Sequence, residues 1–119
     1  MKKVLTVALI ALAALSLAGS ASASTAGQRN ALSKARSYLQ ISAFSKKGLA
    51  EQLEFDGFSR SNARWAVARV GVSWNRQAVK KARSYLQISA FSRSALIGQL
   101  EFDGFTHSQA VYGVNRAYH

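Results

Sequence analysis

Apolar residues in the first half of the chain recur at helical spacing. Ala31, Leu32, Ala35, Tyr38 and Leu39 fall at i, i+1, i+4, i+7 and i+8, a single stripe on a helix predicted over about residues 29–40. Leu49 and Leu53 mark the inner face of a second helix, about 46–55, for which Ser45 or Ser42 supplies the N-cap. Ala63, Ala66, Val67 and Val70 line a third helix, about 60–70, capped by Ser59. Gly57 is placed to end the second helix in a left-handed cap, and Gly71 to end the third. A short turn containing Gly between two short helices is a helix-turn-helix pattern. Phe55 and Phe58 flank this turn and are expected to staple both helices to the first, while Phe44 and Phe91 plug the core from the preceding loop. Residues 24–28 read as a short polar lead-in.

The same pattern then repeats. Lys34 to Ser45 reads KARSYLQISAFS, and Lys81 to Ser92 carries the same letters 47 positions later. Gln52–Phe58 (QLEFDGF) recurs as Gln99–Phe105 at that offset, so the repeat extends through the turn. Ser73 opens the second copy, and Thr106 replaces Ser59 as its last N-cap. The expected fold is all-α: two tandem three-helix, helix-turn-helix-like modules, residues 24–72 and 73–119, sitting close together.

Ahead of the modules the pattern changes. Lys2 and Lys3 precede an apolar run from Val4 to Ala18, and Ala21-Ser22-Ala23 fits the small-x-small rule for signal peptidase. Residues 1–23 therefore read as a signal peptide, cleaved between Ala23 and Ser24. The run is shorter than the roughly 20 residues a membrane span needs, and no transmembrane span is expected in the mature chain. Cleavage removes two lysines and no acid, lowering the net charge from +11 to +9. A basic exported protein is suited to anionic wall polymers, lipid headgroups, nucleic acid or an acidic protein. The chain has no Cys, which excludes disulfides, thiolate metal sites and a Cys nucleophile.

No catalytic constellation stands out, and neither a cofactor, a metal nor a small-molecule substrate is expected. His107 and His119 have no carboxylate or thiol partner at a recognisable spacing. Glu54 with Asp56 and Glu101 with Asp103 are close acidic pairs, but residues two apart on a helix face different directions. Asp56 and Asp103 are expected to bond backbone amides in the turn. Arg60 and Arg64 would open a recognition helix if the module bound DNA. The signal peptide argues against that role, as does His107 and Val111 standing at the equivalent positions of the second copy. Trp65 and Tyr112 occupy equivalent positions just off the inner stripe, either in the seam between modules or as exposed anchors for a partner. Arg60, Arg64, Trp65 and Tyr112 are the candidate partner-binding residues. Trp74 is expected to pack between the modules.

Ala35, Tyr38, Leu39, Phe44, Ser45, Leu49, Gln52, Leu53, Gly57, Phe58, Ser59 and Ala63 form a motif that recurs from Ala82 through Ala110. It resembles the repeat of the Ltp-type host cell surface-exposed lipoprotein family. The resemblance implies tandem helix-turn-helix modules on the outer face of a Gram-positive membrane, encoded by the bacterium or its prophage. It also implies superinfection exclusion, in which DNA entry by a second phage is blocked through the phage tail tape-measure protein. Lipoprotein members carry a lipid-modified Cys where this chain has Ser20, so a secreted or charge-held surface protein is expected here. A basic wall- or envelope-associated structural protein is the alternative.

Overall fold

The computed structural model describes residues 23–118. The expected signal peptide and His119 lie outside them, apart from the exposed Ala23 at the cleavage point. Six helices make up the described regular structure: α1 (Ala26–Ile41), α2 (Lys46–Phe55), α3 (Arg60–Val67), α4 (Trp74–Ile88), α5 (Arg93–Phe102) and α6 (His107–Ala117). The described residues are all-α, as the periodicity implies.

Every helix begins on a hydroxyl cap. Thr25, Ser45, Ser59, Ser73, Ser92 and Thr106 each accept a hydrogen bond from the backbone N–H three residues on. Such a bond satisfies one of the donors that a helix start leaves unpaired. Thr25 and Thr106 do more, because the Gln28 and Gln109 side chains accept from their backbone N–H groups and close capping boxes. The Thr25 box starts α1 inside the segment expected to be a polar lead-in. Ser42 is the extended residue that ends α1, which leaves Ser45 to cap α2. At the other end α3 stops at Val67, short of the predicted Val70. The Arg69 N–H bonds to the Ala66 carbonyl in a tightened final turn, and Gly71 then reverses the chain at φ 71°.

Each set of three helices closes on its own core. Ala31, Ala35, Leu49, Leu53, Ala63, Ala66 and Val67 are buried in the first, with Leu39, Phe44, Phe58 and Trp65 packed around them. Ala78, Ala82, Leu96, Leu100, Phe105, Ala110 and Val114 form the second, with Phe91 packed against it. Phe44, Phe58 and Phe91 thus serve the core as expected, and Phe105 repeats the role of Phe58. Phe55 does not: it is 87% exposed, and its counterpart Phe102 is 86% exposed. Phe55 lies two residues past Leu53, about 200° around the helix from the inward face. The staple is Phe58 alone, drawn in as its N–H bonds back to the Leu53 carbonyl.

The two acids of the turns also differ from expectation. Asp56 accepts a hydrogen bond from the Tyr38 hydroxyl and another from Gln52 Nε2, instead of binding turn amides. Asp103 repeats this with Tyr85 at 2.5 Å and Gln99 at 3.2 Å. The same carboxylates therefore tie the end of the second helix of each module to the first.

Three contacts join the modules. Trp74, the first residue of α4, packs on the first core. Gln77 is buried, and its side-chain oxygen accepts from the Phe44 N–H at 3.1 Å. Ser45 caps α2 and also donates its hydroxyl to the Asp103 carbonyl at 2.5 Å. The start of α2 thus rests on the α5–α6 turn, and Gly104 gives it room: a Cβ there would lie 2.6 Å from Ser45 Oγ.

Candidate functional site

The junction leaves a groove of about 490 Å³ between the modules. Lys46, Lys47, Ala50, Glu51 and Glu54 of α2 form one wall, and Arg60, Arg64 and Val67 of α3 form another. Gly104, Thr106 and Gln109 close it from the second module. Arg60 lies 3.6 Å from Glu54 across two exposed side chains, a contact that solvent screening makes weak. Four cations against two carboxylates leave the groove basic, with an apolar floor from Ala50 and Val67. Such a surface is suited to a partner segment carrying acidic and small apolar side chains.

Of the four sequence-predicted residues, the groove collects Arg60 and Arg64 only. Trp65 is half-buried against the first core, with the Arg69 guanidinium 4.3 Å from its ring centroid. Tyr112 carries Arg116 in the same way, at 3.7 Å. It lines a separate basic pocket with Arg76, Val79, Lys80 and Arg83. Sequence reasoning passed over Lys46 and Lys47 as groove residues. The signal that could have found them is a mismatch between the copies: Lys47-Gly48 of the first becomes Ser94-Ala95 of the second.

His107 does have a carboxylate beside it, contrary to expectation, since Glu101 Oε2 lies 3.4 Å from its Nδ1. The pair spans the α5–α6 turn and is exposed, a link between neighbouring helices. Tyr85 is the group most displaced from its ordinary behaviour. Burial, the hydrogen bond to Asp103 and the charge of that carboxylate push its pKa up to about 12. Tyr38 is raised too, chiefly through its hydrogen bond to Asp56. Both shifts favour the neutral phenol and fit a structural link. Among the described residues no group of three or more His, Asp or Glu side chains could hold a metal ion. Nor is any helix there long and apolar enough to cross a membrane.

Tandem copies of a small helical module, joined at a junction that opens a basic groove, define an all-α protein of repeated architecture. Residues 27–70 and 73–116 each match the family described as host cell surface-exposed lipoprotein, and the chain belongs to that family. It is also similar to the solved structure of Ltp, a superinfection exclusion protein from the Streptococcus thermophilus temperate phage TP-J34. That likeness has a TM-score of 0.73 and 36% identity, and covers 78% of this chain and 97% of the other. Comparison with curated proteins finds no match.

Proposed function

We propose that this chain is an exported, surface-associated binding protein that interferes with DNA injection by a superinfecting phage and acts by binding, not catalysis. The observation that carries the reading is the 36% identity to a superinfection exclusion protein over nearly all of that protein's length. In this reading residues 1–23 are removed on export, and modules 24–72 and 73–119 work together outside a Gram-positive cell. The partner is a phage protein that enters the groove beside Arg60 and Arg64, the tail tape-measure protein being the candidate the family suggests. Trp65 and Tyr112 extend the contact surface on either module.

Infection tests this. Cells making the protein should adsorb phage normally yet show reduced DNA entry and plaque formation. The double variant Arg60→Glu/Arg64→Glu should restore plaques while retaining full helical content, since both side chains are exposed. Equal plaque counts with and without the wild-type protein would sink the proposal. The intact mass of the secreted or wall-bound product should begin at Ser24.

A second reading, retention on anionic envelope polymers, is favoured by one observation. The side chains lining the Tyr112 pocket include four cations and no acid.

A further inference from the structure

The pocket around Tyr112 lies within the second module, between α4 and α6. Arg76, Lys80 and Arg83 follow one another at i, i+4 and i+7 on α4, one exposed stripe about 10 Å long. Arg116 closes the pocket from α6, its guanidinium over the Tyr112 ring and its position fixed by that stacking. Buried Val79 forms part of the lining, and the cavity is about 290 Å³.

Neutralisation is missing here although the module has two acids. Asp103 is engaged by Tyr85 and Gln99, and Glu101 stands beside His107. Four cations converge on one concavity with no carboxylate among the lining residues. Like charges so placed repel, and an anion with several charged groups relieves that repulsion at several points together. The equivalent positions of the first module hold Arg29, Ser33 and Arg36, which line a pocket of their own, with Trp65 and Arg69 stacked outside its lining.

We propose that this pocket binds a phosphodiester-linked polymer of the cell envelope and thereby holds the protein at the surface, in place of the lipid anchor that Ser20 cannot carry. The proposal rests on the export and surface location proposed above. Phosphate is the matching group because guanidinium forks bind its oxygens in pairs. The stripe is long enough to meet successive phosphates of a flexible chain. Arg116 already covers one face of the Tyr112 ring, which leaves less of it for the base stacking that single-stranded nucleic acid uses.

The test uses purified mature protein and three probes: polyglycerol phosphate, phosphatidylglycerol vesicles and a mixed-sequence single-stranded oligonucleotide. Polyglycerol phosphate should bind most tightly, with an affinity that falls linearly on a log–log salt plot. The variant Arg76→Gln/Lys80→Gln/Arg83→Gln should lose at least about tenfold in affinity and lower the salt slope by about 3. The variant Lys34→Gln/Lys81→Gln/Arg93→Gln removes equal charge outside the pocket and should lose clearly less. Circular dichroism should match wild type for both. Equal losses in the two variants would mean diffuse attraction by net charge and would overturn the site. Tighter binding of the oligonucleotide or the vesicles would overturn the polymer as ligand. Because binding is read in solution, failure of phage exclusion leaves this result intact, and failure here leaves the infection result intact.

Discussion

Single residues in this molecule act through the partner that the fold gives them. Tyr85 and Asp103 are eighteen positions apart in sequence, yet their hydrogen bond fixes the end of α5 against α4. Because the phenol donates to a carboxylate in a partly desolvated place, its folded pKa stands near 12 against an ordinary 10.0. A raised pKa contributes stability that is complete below the ordinary value and is lost as pH climbs through the folded one. Stability should therefore decline between about pH 10 and 12, and a tyrosinate titration of the folded protein should show a late step near 12. Tyr85→Phe should abolish that step and flatten the decline. An unchanged late step in the variant would assign it elsewhere.

Helices are set by caps, and the repeat supplies an internal control for their cost. Ser45 and Ser92 cap α2 and α5 with the same geometry, but only Ser45 also bonds to the other module. Ser92→Ala should cost about 1 kcal/mol, the ordinary loss of a hydroxyl cap. Ser45→Ala should cost about 1 kcal/mol more, because a part-buried hydrogen bond goes with the cap. Urea unfolding of the two variants measures the difference, and equal midpoints would mean the junction bond contributes nothing. In the cores, Leu49→Ala should cost about 2–5 kcal/mol, since the side chain is fully buried and leaves a cavity.

The whole molecule depends on how one copy sits on the other. Gly57 and Gly104 occupy identical turns with φ 101° and 102°, so Gly→Ala imposes the same backbone strain at both. A Cβ at Gly57 meets nothing within 4 Å, whereas one at Gly104 meets Ser45 Oγ and Lys47 Cβ. Gly104→Ala should therefore destabilise by about 1–3 kcal/mol more than Gly57→Ala and loosen the junction. Faster protease cleavage between residues 71 and 73 would report that loosening. Identical behaviour of the two variants would show that the close approach at Gly104 is not needed. The packing within the modules differs as well. Gly113 lets α6 approach Ala78 of α4, where a Cβ would lie 2.7 Å from the backbone; the first module has Ala66 there and cannot close as tightly.

The sequence by itself determined the helices, their caps and the duplication, because these rest on local hydrogen bonds and on an apolar period that neighbouring residues carry. Ser59, Ser73 and Thr106 could be named as caps from spacing alone, and Gly57 as a left-handed stop, whereas Gly71 turns the chain beyond Val67, where its helix ends. The chain's membership of its family was legible for the same reason, since the motif repeats within each module. Phe55 was misread because aromatic content suggests core, while its angle past Leu53 turns it to solvent. Only the tertiary structure decided the groove, the Tyr–Asp–Gln links and the pocket that gathers Arg76, Lys80, Arg83 and Arg116. Those depend on contacts between residues up to 58 positions apart, such as Ser45 with Asp103. Two turns of the same sequence can become a half-buried junction and an exposed loop because what covers each one is set by packing between the copies, which a local pattern does not encode.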